Sequence, residues 1–489
     1  MRSRVGARED EWVEACAAHG FQEVPEERFA RVFMQRARGL VGMEIAYGGE
    51  VSRISPTRML AGNVRFRRAL ERHLAETSVS VDDFFRTGRL RAFSGRQYLL
   101  PGNAGGGPVE LFRGSTLIKP TRSIDKERAS KLADGIGRWM LCNQAEDGSL
   151  PYKYWPSRGS QSPADNAIRR FLGSLAMFRL SELRKSSALL EGASRNLRYN
   201  LERYFRPTGE GCGVIVERAG AKLGAAAVAG LAILANPARE EFSEQLAMLA
   251  RAIESLADPE LGFRTFFFPR SRDGDNWNFY SGEALLFWAE SVRQGLPYAP
   301  PAERCTAVFR RCRARHRQRR NPAFVPWNTQ ACVSLFATTG QQEFADFAFE
   351  ISDWLLPMQQ WDEALPPDLA GRFYNPRRPD FGPPHAASTG AYLEGLADAL
   401  TLARATGNHV RATRYECALA RGLRSLRQLQ FRDNRDTFYI SRKRRVLGAL
   451  RTEAYDNAIR VDSAAHALLA ALKILRPLKV QSQRAADIA

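Results

Sequence analysis

From about residue 124 onward, apolar residues recur at i, i+3, i+4 and i+7 in one segment after another, and two kinds of segment alternate without a break. One kind carries a charged face: 124–143, 186–204, 238–256, 301–316, 341–358 and 408–428. Such a helix buries a single stripe, so these six belong on the outside. The other kind is rich in alanine, glycine and other small residues, with polar or aromatic groups at its start: 163–181, 220–234, 278–294, 326–338, 387–406 and 457–475. A helix that is apolar nearly all round is covered on every side, so these six belong inside. A period of roughly 47–70 residues is that of a repeated helical hairpin whose neighbours stack around a common core. Six hairpins can close a ring, and the fold expected is mainly α.

Residues 1–120 have a different texture, that of a small α+β domain. Helical patterns at 6–18, 26–40 and 55–76 are mixed with strand-like VGMEIAY (41–47) and RLRAFSG (89–95). Ser55-Pro56 makes an N-cap and first-turn pair. PGNAGGGP (101–108) reads as a flexible connector before a strand-like VELFRG; its AGGG lacks the Lys-Ser/Thr of a phosphate loop. The predicted boundaries are 1–120, 121–475 for the ring, and a frayed tail at 476–489.

Composition excludes several classes. LGAAAVAGLAILA from Leu223 is too short for a bilayer, which needs about 18 apolar residues or more, and no membrane span is expected. The opening MRSRVGARED has neither an apolar h-region nor a cleavage site, so a cytoplasmic protein is expected. The seven cysteines are scattered, with no CxxC pair, so neither a disulfide framework nor a structural zinc is indicated. Net charge is +19, with arginine far outnumbering lysine. Two readings compete: arginine written for lysine on solvated faces, or an anionic substrate or partner. FRRCRARHRQRRNP (309–322) has no interleaved aromatics of the kind single-strand binders use, so nucleic acid is not the expected partner.

The loops that lead from outer to inner helices share a wording in which an outer helix ends and an aromatic-rich hairpin follows. Examples are LCNQAEDGSLPYKY (141–154), LADPELGFRTFFF (256–268), LPMQQWDEALPPDLAGRFY (356–374) and LRQLQFRDNRDTFYI (426–440). With the hairpin alternation, this resembles the (α/α)6 toroids, among them six-hairpin glycosidases, polysaccharide lyases and N-acylglucosamine 2-epimerases. The resemblance covers about residues 124–475 and is one of architecture. It implies that all six loops emerge at one end, around a funnel lined by the starts of the inner helices.

DNAIR occurs twice, at Asp165–Arg169 and Asp456–Arg460, before the first and sixth inner helices. These are neighbours where the ring closes, so both copies are expected to face the funnel, each with Asp and Arg on one helix face. The same spacing joins Asp462 to His466. The expected catalytic set is Asp165, Glu283, His385, Tyr455, Asp456 and His466. The expected ligand-binding set is Tyr152, Tyr154, Trp155, Arg169, Trp277, Tyr280, Trp327, Gln330, Glu394 and Arg460. Flat aromatic faces suit sugar rings, and carboxylates beside cations in a partly dry cavity can divide acid from base roles.

Three reactions fit. Glycoside hydrolysis would use two of Asp165, Glu283 and Asp456. Uronate elimination or epimerisation would use Tyr152, Tyr154, Tyr455 or His385 as base or acid, with Arg169 or Arg460 on the carboxylate. The resemblance to the 2-epimerases implies His385 and His466 exchanging protons with opposite faces of a sugar. No cofactor and no metal is expected. The expectation is therefore a carbohydrate-active enzyme for an anionic or uronic-acid-containing substrate; the alternative is a non-catalytic receptor for an anionic polymer. The N-terminal domain is a candidate docking site for a partner protein.

Overall fold

The computed structural model describes residues 12–101 and 107–480. Part of the helix expected at 6–18, most of the PGNAGGGP connector and the end of the tail lie outside these residues.

The N-terminal part is an antiparallel sheet with helices on it. Its strands are β1 (Trp12–Glu23), β2 (Val41–Tyr47), β3 (Glu50–Ile54), β4 (Arg89–Pro101) and β5 (Val109–Leu111), in the order β1-β4-β2-β3 with β5 also on β4. Helices α1 (Glu26–Val32), α2 (Pro56–Gly62), α3 (Phe66–Glu76) and α4 (Val81–Thr87) contribute Phe29, Phe66, Leu70 and Phe84 to its own core. Where a helix is expected at 6–18, the described residues form β1. Partly buried Trp12, Glu14 and Cys16 alternate with exposed Val13, Ala15 and Ala17, a two-residue period that the long partner β4 captures. The helix expected at 55–76 is broken at Asn63, whose φ of 48° ends α2. Ser55 caps α2 as its sequence indicates, accepting from Arg58 N.

The ring follows. Its outer helices are α5 (Lys126–Asn143), α7 (Ser187–Tyr204), α9 (Ser243–Ser255), α11 (Ala302–Gln318), α13 (Gln342–Leu355) and α15 (His409–Leu429). Its inner helices are α6 (Ala167–Arg184), α8 (Leu223–Leu234), α10 (Trp277–Arg293), α12 (Val325–Thr339), α14 (Ala386–Ala405) and α16 (Val461–Leu475). Each inner helix contacts the next, and α16 returns to α6, so the ring closes. The division of labour follows the side chains. All twelve residues of α8 are buried, whereas α11 buries Cys305, Val308, Phe309, Cys312 and His316 along one stripe and leaves its arginines outside. Full burial of one such apolar side chain contributes about 1.5–3 kcal/mol, which is why the stripe outweighs the crowding of like charges. Among the described residues no helix is long and apolar enough to cross a membrane.

Two details position the funnel. The second DNAIR does not open a helix: Ile459 and Arg460 pair as a short strand with Tyr154 and Lys153, and α16 starts at Val461. Gly390 of α14 lies so close to α16 that a Cβ there would stand 2.8 Å from Ala467 N, so the two helices meet backbone to backbone beside His466.

Candidate active site

The starts of the inner helices enclose a cavity of about 500 Å³. Of the residues expected at the site, Arg169, Tyr280, Glu283, Trp327, His385, Arg460 and His466 line it, together with Asp462. Three groupings of charge follow from how these residues are held.

The first is a triad of a buried carboxylate and two partly buried arginines. Asn166 caps α6 by accepting from Arg169 N, and Arg169, in the first turn, lines the cavity. Its Nε lies 3.0 Å from Asp462 Oδ2, and it also donates to Tyr152 OH. From the other side Arg460 Nε donates to Asp462 Oδ1 at 3.0 Å, with a second bond to Oδ2. Burial raises the Asp462 pKa, but Arg460 and then Arg169 overcome it and hold the carboxyl well below the usual range. Two cations on one anion leave the triad with one net positive charge.

The second grouping is a pair of histidines in opposite hydrogen-bonding states. His385 caps α14, its Nδ1 accepting from Ser388 N at 2.9 Å, so the ring proton sits on Nε2. Burial first and Arg460 second push its pKa down to about 4, which keeps it neutral. In His466, which lines the cavity, Nδ1 lies 2.6 Å from Glu394 Oε1; the carboxylate accepts from Nδ1–H, and Nε2 then carries the lone pair. Trp327 stands edge-on to this ring at 5.9 Å. Glu394 does not itself line the cavity; it holds His466 from behind.

The third is Glu283, which stands on α10, opposite α16 in the ring of six. Its Oε2 is buried with no hydrogen-bond partner, and burial raises its pKa to about 8 against a small opposing effect of Lys222. Gly224 makes the room: a Cβ there would fall 2.0 Å from Glu283 Oε2. Burial without a partner favours the protonated form of Glu283, whose side chain lines the cavity.

The remaining expected residues do not line the funnel. Asp165 turns away from it to Arg170 and the Tyr204 hydroxyl of α7. Asp456 accepts from Asn63 Nδ2 at 2.8 Å, and Tyr455 O accepts from Arg38 at 2.7 Å, so both are engaged by the N-terminal sheet layer. Neither Asp165 nor Asp456 lies on a helix face, because one precedes the cap of α6 and the other sits in a loop. Tyr152 reaches the site through Arg169, Tyr154 is buried, and Trp155 lies between Lys153 and Arg158. Trp277 stacks on Phe324. Gln330 lines a separate cavity at the other end of the barrel. Lys222, Arg272, Phe279 and Tyr392 line the funnel without having been singled out. Lys222 immediately precedes α8, a position shared with His385, and that signal was readable. Among the described residues no three His, Cys, Asp or Glu side chains are grouped to hold a metal ion.

No protein-family model and no curated protein matches the chain by sequence. Solved structures match it in shape. A D-mannose isomerase superposes with a TM-score of 0.54 at 13% identity, over 74% of this chain and 100% of that one. An inactive variant of the α-1,6-mannanase GH76A of a Salegentibacter species, in complex with α-1,6-mannotriose, gives 0.51 at 11% identity, over 72% and 99%. The architecture this chain shares with them is the (α/α)6 toroid.

Proposed function

We propose that the protein is a sugar isomerase or epimerase that moves a proton on the carbon beside a carbonyl, acting on a sugar that carries an anionic group. The observation that carries this reading is the pair of histidines whose bonding partners put them in complementary states, an acceptor at His466 Nε2 and a donor at His385 Nε2. His466 removes the proton, and Glu394 stabilises the imidazolium that results. The electron pair of the C–H bond moves into the carbonyl, whose oxygen becomes an enediolate held by the His385 Nε2–H. Glu283, protonated on the opposite wall, supplies a proton to oxygen or carbon as the intermediate collapses. Return of the proton from His466 to the former carbonyl carbon, while the hydroxyl on the deprotonated carbon gives its proton to the Glu283 carboxylate, gives the isomer; a proton from Glu283 to the other face of the same carbon gives the epimer, after which His466 and Glu283 exchange protons with solvent.

Hydrolysis by two carboxylates is less well supported, because of its candidates only Glu283 lines the cavity and Asp462 is consumed by two arginines. The net positive triad supports an anionic substituent, for which a charge-assisted contact is worth about 1.5–3 kcal/mol. The names of the mannanase and the D-mannose isomerase supply sugar as the substrate class.

The test is incubation with a panel of aldoses, ketoses, uronates and sugar phosphates in deuterated water, followed by NMR. We expect deuterium at the carbon beside the carbonyl of one substrate, abolished by His466→Gln and reduced by about 10²–10⁴-fold in Glu394→Gln. New reducing ends or an unsaturated product without deuterium incorporation would overturn this reaction in favour of hydrolysis or elimination. Saturable binding with no turnover would overturn it in favour of a receptor.

A further inference from the structure

The barrel is open from its other end as well. A second cavity, of about 870 Å³, is enclosed by the C-terminal halves of α6, α8, α10 and α16, by Trp327, Gln330 and Glu394 of α12 and α14, and by the segment Pro477–Lys479. Leu175, Leu231, Leu234, Leu286, Leu469 and Leu472, from α6, α8, α10 and α16, line it and keep 5–8% of their surface exposed. Neighbours on the same helices that point elsewhere, such as Ala176, Ile233 and Leu468, keep 0%. The leucines thus form one continuous apolar wall.

The polar groups on the facing side are already satisfied. Lys473 is 2.5 Å from Asp398, Glu394 is bound to His466, and Gln330 Nε2 donates to Pro326 O at 3.1 Å. An apolar ligand would therefore strand none of them. At the mouth the balance tips to positive: Arg179 and Arg476 share a single carboxylate, Glu182, at 3.7 and 2.6 Å. The C-terminal ends of the inner helices bring partial negative charge to this mouth, which Arg179 and Arg476 must outweigh to hold an anion there.

We propose that this cavity binds an amphiphile, an unbranched hydrocarbon chain ending in one carboxylate, with the chain along the leucine wall and the head group between Arg179 and Arg476. The volume is within the range of ligand-binding pockets, and an apolar wall with a few charges at the mouth is their usual make-up. The far end of the chain would touch Trp327, which lines both cavities, and Glu394, the partner of His466. Occupancy of this site therefore bears on the candidate base. The proposal stands apart from the reaction proposed above, and its test needs no sugar.

The test is calorimetric titration of the full chain with dodecanoate below its micelle concentration, with dodecanol and acetate as controls. We expect one saturable dodecanoate site per chain, dodecanol weaker by about tenfold, and no acetate binding. Leu234→Trp, which fills the shaft, should abolish binding. Arg179→Gln combined with Arg476→Gln should weaken it about tenfold, and because both arginines lie at the exposed mouth this variant carries the test if Leu234→Trp does not fold. Absence of saturable binding to the unmodified chain, equal binding of dodecanol, or unchanged affinity in both variants would each overturn the proposal. So would co-sedimentation with phosphatidylglycerol vesicles without binding of free dodecanoate, which would assign the mouth to a membrane surface.

Discussion

At its first occurrence, Asp-Asn-Ala-Ile-Arg straddles the start of α6: Asn166 caps the helix and Arg169 is already in its first turn. At the second, the same five residues run ahead of α16, with Asn457 donating to Leu60 O at 2.9 Å in the N-terminal layer and Arg460 in a short strand. The backbones differ, yet Arg169 and Arg460 arrive at one carboxylate, Asp462, while the two aspartates diverge toward α7 and toward Asn63. Identical letters therefore did not mean identical positions. What the copies share is an arginine at the rim of a closing ring, reached from two sides.

The largest effect should come from Asp462→Asn, the point where the two copies meet. It leaves two partly buried guanidinium groups without their anion, and we expect a loss of about 3–5 kcal/mol in urea unfolding. A loss no larger than that of Asp165→Asn would break the idea that the arginines converge on a shared anion.

A second contrast is between Asp462, an anion with two cations, and Glu283 opposite it, a carboxyl with no hydrogen-bond partner at Oε2. Because the folded pKa of Glu283 lies above its ordinary value of 4.5, at about 8, the unfolded chain gives up this proton first as pH rises. Stability is thus fully present below pH 4.5 and declines until about pH 8, and Glu283→Gln should flatten that part of the stability profile.

Arg169→Lys and Arg460→Lys test whether the two routes to Asp462 are equivalent. Lysine keeps the charge but not the forked geometry, so the Arg460 change, which removes a two-point contact, should cost more, about 1.5–3 kcal/mol. The smallest effects should come from the aspartates themselves. Asp165→Asn keeps a polar partner for Tyr204, and Arg170 keeps its bond to Leu150 O, so at this largely buried site we expect about 1 kcal/mol. Asp456→Asn should be comparable in unfolding, and neither should abolish the deuterium exchange that His466→Gln removes.

Much of the fold was legible because it rests on which residues are apolar and how they are spaced. The stripe Cys305, Val308, Phe309, Cys312 of α11 and the unbroken apolar run of α8 announce an outer and an inner helix before any coordinates. The N-terminal layer was harder, since Trp12–Glu23 carries alanines that suit a helix and becomes a strand only because β4 is there to pair with it. In the site, His385, His466 and Glu283 were accessible as polar residues at inner helices. Their states were not, because a tautomer depends on Ser388 N and Glu394, and a raised pKa on the space that Gly224 leaves.

Side-chain order alone dictates a closed ring of paired helices with its polar residues gathered at one end, since burial is a property each helix carries in its own pattern. Which of those polar residues turn into the cavity is settled only by closure of the ring. Asp456 is taken by Asn63 from 393 residues away, and Asp462 becomes the hub of two arginines, because the energy of a charge depends on its neighbours in space and not on its neighbours in sequence.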